Sequence, residues 1–304
     1  MEMKKITYLT GVYLGEVDEN NKPNGKGSFV YKDGAFYTGQ FLSGVRSGKG
    51  RLTSVNGDVY EGEWQNDTPN GTGLMKYNDG SVYQGLWKSG KRDGKGKLID
   101  SLNNVYEGDF VENLFDGNGK FTFVDGTIYD GGFKKGMYEG HGEIKYANGD
   151  EYNGEFLGGV RSGKGKLSFA SGQKYDGNWV NDMPHGENGT LTLVDGTKYE
   201  GSFYENTITG RGTYFFKNGC KYEGEWENGI IQGVGRYIDA ENNLIYEGES
   251  DDGKLSGMGI YYYENGYSYM GKWENGEKNG EGVIVVSDNE KYKRKFRDNH
   301  IVIV

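Results

Sequence analysis

The sequence predicts an all-β chain: an elongated, single-layer, twisted antiparallel sheet of about twelve tandem 23-residue β-hairpin repeats. Three observations predict it. A leading tyrosine recurs at Tyr13, Tyr37, Tyr60, Tyr83, Tyr106, Tyr129, Tyr152, Tyr175, Tyr199, Tyr222, Tyr246, Tyr269 and Tyr292, in nine steps of 23 residues and three of 24. After each tyrosine, rings and glycine alternate with charge, as in Tyr60-Glu61-Gly62-Glu63-Trp64, which is the period of a strand. Each repeat closes on a turn such as Asn78-Asp79-Gly80, and Asx-Gly between alternating strands is the strongest short-range hairpin signal. A fixed period marks one repeat array and overrides the two-domain expectation for 304 residues.

The composition fits this reading. With 55 glycines, 25 tyrosines and 34% hydrophobic residues, the chain cannot build one thick core. Its regularly placed aromatics are what disordered segments lack. One cysteine, Cys220, excludes an internal disulfide framework. The first ten residues have no apolar stretch of a secretory signal, and no apolar run nears the ~20 residues of a membrane span. A cytoplasmic protein is expected. The net charge of −10 argues against nucleic acid as a partner, because that binding is driven by basic surface.

Taken in order, residues 1–12 hold Ile6-Thr7-Tyr8-Leu9, which fits one capping strand over an otherwise unpaired sheet edge. Residues 13–291 are twelve repeats in one continuous array. Each begins with a strand, here called A, that carries the tyrosine and, four residues on, a second ring: Phe41, Trp64, Trp87, Phe110, Phe133 and so on. Val17 and Ser250 are the exceptions, and Ser250 predicts a dent or bend. A polar loop follows. Gly-x-Gly, as in Gly71 and Gly73, then opens strand B, which continues through residues such as Leu52, Tyr77, Leu98 and Phe121. Glycine at a fixed offset beside large rings predicts that the pair makes room for them. Hairpins added edge to edge give a twisted ribbon on the order of 110 Å long. Extra residues in Gly186-Glu187-Asn188-Gly189 and between Asp239 and Asn243 predict local bulges. Residues 292–304 form a partial thirteenth repeat, with Arg294 where glycine is expected, and an apolar tail, Ile301-Val302-Ile303-Val304, that caps the sheet or pairs with a second copy.

The pattern Tyr-x-Gly-x-Trp/Phe followed by Gly-x-Gly at a 23-residue period resembles the MORN repeat (membrane occupation and recognition nexus) from Tyr13 to about Asn299. The resemblance implies a twisted β-array with an aromatic-lined groove. It also implies a cytoskeletal or ciliary scaffold, an adaptor for partner proteins, or a phospholipid-associated module.

The leading expectation is a non-enzymatic scaffold or adaptor. Its partner, a helix or extended peptide, would lie in a groove of Tyr60, Trp64, Tyr83, Trp87, Tyr106, Phe110, Tyr129 and Phe133, since Tyr and Trp are enriched at interface hot spots. Most of each ring is expected to be core, with only its rim available. Leu114-Phe115 and Met137-Tyr138 replace polar residues at the loop margin and read as an exposed apolar patch, or as a loop folded back on its own sheet. Lys91, Arg92, Lys95 and Lys97, with Lys293, Arg294 and Lys295, are candidate contacts for anionic phospholipid; the plainer reading is pairing with strand-A carboxylates. Arg46, Lys49 and Arg51, and Arg161, Lys164 and Lys166, form similar clusters. A self-assembling oligomer, such as a homodimer through the termini, is a third reading.

No chemistry is expected. His141, His185 and His300 have no ligand spacing to each other or to Cys220, so no metal or cofactor is implied. Gly158-Gly159-Val160-Arg161-Ser162-Gly163-Lys164-Gly165 has the glycine spacing of a phosphate loop. Gly165 nevertheless stands where Ser or Thr should hold the metal, and a strand follows in place of a helix. Solution scattering of an elongated particle, with a circular dichroism spectrum free of helix, is the expected result; a compact sphere or a helical spectrum excludes this fold.

Overall fold

Strand A repeats as seven residues and strand B as nine, and the computed structural model, which describes residues 2–287 and 290–302, joins them in one open antiparallel sheet of 28 strands. The chain divides into two units, Met1–Ala147 with Phe156–Gly159, and Asn148–Glu155 with Val160–Val304. Within each, consecutive strands pair. The Glu2–Tyr8 strand pairs in continuous register with Gly11–Val17.

Two kinds of turn alternate, and their chemistry corrects the sequence reading. The connection from A to B is not a loose polar loop. Gln65 pairs with Thr68, leaving only Asn66 and Asp67 between them, both at positive φ (48° and 63°). Positive φ at both central residues is the two-residue hairpin turn that matches sheet twist. Ser43-Gly44, Ser89-Gly90 and Asn275-Gly276 do the same. The Asx-Gly signal lies at the wider B-to-A connection. There Tyr77 N–H donates to the Ser81 carbonyl and Gly80 N–H to the Tyr77 carbonyl, and Gly80 alone takes positive φ (90°).

The two glycines of Gly-x-Gly have different causes. The first, such as Gly71 (φ 93°), sits in a bulge: the register jumps from Gly62↔Gly73 to Trp64↔Pro69, and the Glu63 carboxylate bridges the gap by accepting from Thr72 Oγ1 at 2.5 Å. The hydrogen bonds from Thr72 hold that carboxyl below the usual range. The second, such as Gly73, lies beneath a ring. Tyr60 folds back over Gly62 and Gly73, and its hydroxyl donates to the Glu63 carbonyl at 2.9 Å. A methyl at Gly62 would stand 2.6 Å from that hydroxyl oxygen and 2.5 Å from Gly73 Cα. The same fold-back recurs down the array, from Tyr13 to Tyr269.

The core is therefore one line of rings. Where both rings are present, the leading tyrosine is met edge-on by the +4 ring of its own repeat and of the next; Tyr13, Tyr222 and Tyr246 have only one such partner, because Val17 and Ser250 are not rings. Tyr37, Trp64, Tyr60, Trp87, Tyr83, Phe110 and Tyr106 follow one another at 5.0–5.3 Å and 79–89°. Such pairs add roughly 0.5–1.5 kcal/mol each beyond area burial. Twelve leading tyrosines are buried to 2% exposure or less. The thirteenth, Tyr292, is 43% exposed, because Arg294 lies against its ring where the others have glycine.

The irregular repeats behave as read. The register shifts between Gly186 and Gly189, and again at Tyr237/Ile238. At Ser250 the ring line breaks. Tyr237 leans into the place, 4.8 Å from Tyr222 and 6.3 Å from Tyr246, and fills the dent that the sequence predicted. Of the apolar tail, Ile301 pairs with Phe296 and Val302 N–H donates to the Lys295 carbonyl; Ile303 and Val304 lie outside the described residues.

Burial pushes the phenols of Tyr13, Tyr37, Tyr83, Tyr175, Tyr199 and Tyr222 from 10.0 up to about 12, and those of Tyr60, Tyr106, Tyr129 and Tyr246 up further. The unfolded chain loses these protons near pH 10 and the folded chain only near 12, so this stability is intact below pH 10 and falls as the pH rises through that window. Cooperative loss of the sheet between pH 10 and 12, with core phenolate absorbance appearing in the same transition, is the expected titration. Phenolate forming at pH 10 in all tyrosines of an intact sheet would mean the rings are open to water.

Candidate functional site

Alternation along the strands gives the sheet two unlike faces. One carries the rings. The other carries the charged residues between them, such as Glu61 and Glu63, over a floor of glycine backbone.

On the ring face the eight expected groove residues are packed as core. Tyr60, Trp64, Tyr83, Trp87, Tyr106, Phe110, Tyr129 and Phe133 are all 5% exposed or less, so even their rims are closed in the free chain. What closes them is a residue nine positions after the tyrosine, near the start of strand B. It lies over the ring and acts as a lid. Phe115 stacks on Tyr106 at 3.8 Å and Tyr138 on Tyr129 at 3.7 Å. Arg46 lies 4.3 Å over Trp64 and Arg161 4.3 Å over Trp179, each paired with an aspartate of the next hairpin tip, Asp67 at 3.1 Å and Asp182 at 2.9 Å. Pro69 and Pro184 occupy the same position in other repeats. The lid also ties the tips together, since its carbonyl accepts from the next tip, as Asp67 N–H to Arg46 and Asn113 N–H to Arg92.

This corrects the apolar margin. Leu114–Thr122 and Met137–Lys145 are strands, not loop. Strand alternation separates each pair: Phe115 and Tyr138 turn onto the rings, while Leu114 and Met137 point away and are about half exposed. Beside them Val111 and Leu157 are also exposed.

The basic clusters are already engaged. Arg92 lies over Tyr83 and Phe110 and donates to the Asn113 carbonyl. Lys91 pairs with Glu112, Lys95 with Asp109 and Lys97 with Glu107, at 3.3, 2.8 and 2.7 Å. Cross-strand and neighbouring-tip pairing is the plainer of the two readings, and the structure has it. Of the C-terminal basic residues, Arg294 rests on Tyr292; among the described residues no carboxylate lies within ion-pair distance of Lys293 or Lys295.

The accessible part of the ring face comes from residues that sequence reasoning placed only as strand-B continuation. Phe121 and Phe123 lie with tilted rings 4.6 Å apart beside Tyr106, and Tyr261 and Tyr263 likewise 5.0 Å apart beside Trp273; all four are half-buried. The signal was present: the second and fourth residues after Gly-x-Gly are apolar or aromatic in most repeats. Their partial exposure depends on the lid, which fixed-period reading did not separate from the loop.

Among the described residues no group of three or more His, Cys, Asp or Glu is placed to hold a metal, and no helix is long and apolar enough to cross a membrane.

Comparison with known proteins follows from this geometry. The family model described as MORN repeat matches residues 13–36, 37–59, 60–82, 83–101, 106–128, 129–151, 152–174, 175–198, 199–221, 222–243, 246–266 and 269–289. No curated protein matches the sequence. Among solved structures, the wild-type TCP10 domain of Danio rerio CPAP in complex with a STIL peptide is 15% identical over 78% of this chain and 99% of that chain, with a TM-score of 0.38. The SAS-4 (dCPAP) TCP domain of Drosophila melanogaster with a proline-rich motif of Ana2 is 15% identical over 59% of this chain and 90% of that chain, with a TM-score of 0.34. At these scores the likeness carries no argument.

Core and accessible rings should respond differently to truncation. Trp64→Ala removes a ring that meets Tyr37 and Tyr60 and donates to the Gly50 carbonyl, and is expected to cost about 3–5 kcal/mol. Phe123→Ala, at a half-buried position, should cost well under half of that in the same urea titration.

Proposed function

The chain belongs to the MORN repeat family, and from that premise we propose that it is a non-enzymatic scaffold that holds a partner protein against its ring face. The observation that carries this reading is the division of labour among the aromatics. The leading tyrosines and the +4 rings are locked in the core, while Phe121, Phe123, Tyr261 and Tyr263 keep part of their rings open. A rigid aromatic surface loses little conformational entropy on binding, which suits it to anchor a helix or an extended peptide. The buried rows Tyr60, Trp64, Tyr83, Trp87, Tyr106, Phe110, Tyr129 and Phe133 serve this function as the platform beneath the contact.

The family implies cytoskeletal, ciliary or membrane-associated assemblies as the setting. The alternative of an anionic-lipid module is weakened, since Lys91, Arg92, Lys95 and Lys97 already have partners within the chain.

The test is capture of partners from source cells by the full chain, with proteins identified by mass spectrometry. Phe121→Ala with Phe123→Ala should lose the partners that the wild type retains, while thermal unfolding remains cooperative. Leu86→Ala, exposed on the opposite face, should retain them. Capture unaffected by the paired substitution counts against the ring face.

A further inference from the structure

The bulge at the start of strand B is closed by two side chains in many repeats. The residue before the first glycine of Gly-x-Gly reaches to the next hairpin tip. The Asn24 and Asn70 amide oxygens accept from the Ser43 and Ser89 backbone N–H at 3.2 and 3.3 Å, and the Asp93 and Asp116 carboxylates accept from Glu112 and Lys135 in the same way. The +3 residue of strand A covers the bulge from its other side. Glu16 accepts from Lys26 N–H at 2.7 Å, Glu63 from Thr72, Glu225 from Val234 N–H and Glu249 from Met258 N–H. In the Glu277–Ser287 strand neither closure is made among the described residues. Lys272 holds the +3 place, and an ammonium cannot accept. The Asn279 amide oxygen turns onto its own chain and accepts from Gly280 N–H at 3.0 Å. The space over Gly280 is open: a Cβ there would meet nothing nearer than the Lys272 side chain at 3.7 Å, whereas at Gly71 it would run into the Glu63 carboxylate.

We propose that Asn279 is a modification site at which the fold itself promotes deamidation of the chain. Hydroxide removes the Gly280 amide proton, and the electron pair left on nitrogen points at the Asn279 amide group. That pair bonds to Cγ, the Cγ–Nδ2 bond breaks, and ammonia leaves with a proton taken from water. The product is a cyclic imide of residues 279 and 280. Water, the only co-reactant, then opens one of its two carbonyls and leaves aspartate or isoaspartate at 279. Gly280 has no side chain to block the approach, and both residues are only half-buried, so hydroxide reaches the nitrogen. Lys272 places a cation where other bulges have a carboxylate, which favours the anionic nitrogen. Asn24-Gly25 and Asn70-Gly71 share the dipeptide, the position and the positive φ of the glycine (96° and 93°, against 71° at Gly280). Their amide groups are held by the next tip, and a carboxylate closes each bulge. In the turns, Gly57, Gly219 and Gly276 give the attacking N–H to the carbonyls of Ser54, Phe216 and Leu255. Isoaspartate would add one atom to the backbone between Lys278, which pairs with Trp273, and Gly280, which pairs with Phe296. The last ring contact of the line, Phe296 on Tyr269 at 5.0 Å, depends on that register.

Timed incubation of the full chain at mildly alkaline pH tests it, with peptide mapping by mass spectrometry and an isoaspartate assay. Asn279 should lose its amide several times faster than Asn24 or Asn70, at a rate that rises with hydroxide concentration. In urea, where only the dipeptide matters, the three should react alike. Asn279→Gln should remove the early product while the β spectrum is unchanged, because the longer side chain closes a less favoured ring. Conversion of Asn24 or Asn70 ahead of Asn279 in the folded chain overturns the proposal. So does a folded chain whose Asn279 stays intact over the time in which the chain in urea deamidates. An equal lead for Asn279 in urea would place the preference in the local sequence and overturn it as well.

Discussion

The tyrosine ring folded back over two glycines is the constraint on which the rest of this structure depends. A single sheet has no second layer to bury its apolar face, so the rings must bury each other. They can do so only where the backbone lets them lie flat. Gly62 and Gly73 provide that space for Tyr60, and the hydroxyl, which would otherwise be a buried unpaired group, reaches the Glu63 carbonyl. Once the tyrosine lies flat, the +4 rings of two repeats can meet it edge-on, and repeat is joined to repeat through the same contact that stabilises each one.

From this follows the division of the surface. Rings that interlock along the array leave one open side, and the +9 residue closes it. That position accepts Arg, Pro, Phe, Tyr, Ile, Leu or Lys, because its requirement is to cover a ring face and not to match a fixed shape. Arginine covers by cation–π contact and adds an ion pair to the next tip. Basic residues that look like ligand contacts in the sequence are in this way part of the fold. The opposite face owes the ring line only its glycine floor, so its side chains are free to vary. That freedom is where an apolar stretch such as Ile260-Met270-Val283 can arise without disturbing the core.

Breaks in the pattern show how local the dependence is. Ser250 removes one ring and leaves its own hydroxyl buried without a partner among the described residues. The array continues, because Tyr237 from the neighbouring strand occupies the gap. An extra residue between Gly186 and Gly189 shifts the register by a bulge and the next repeat resumes it. Each repeat needs only its two neighbours, so an error is absorbed within one period.

The sequence by itself determined the repeat, the strands, the alternation of the two faces and the family, because each of these is a periodic property of adjacent residues. It also identified Gly-x-Gly as space for rings, which holds of the second glycine, while the first, such as Gly71, serves the bulge instead. What it assigned less well was which surface remains open. The A-to-B connection was read as a loop, since a two-residue turn of Asn66-Asp67 does not announce itself as strongly as Asx-Gly. That reading left open whether Phe115 and Tyr138 lie exposed on a margin or fold back onto the sheet, and did not place Arg92 over the rings. Only the tertiary structure turned them onto the rings, because exposure is set by the neighbouring strand's side chain and not by the residue's own period. The same reason applies to the eight groove rings. Their type and spacing were legible, while their complete burial depended on a lid nine residues away in sequence and one strand away in space.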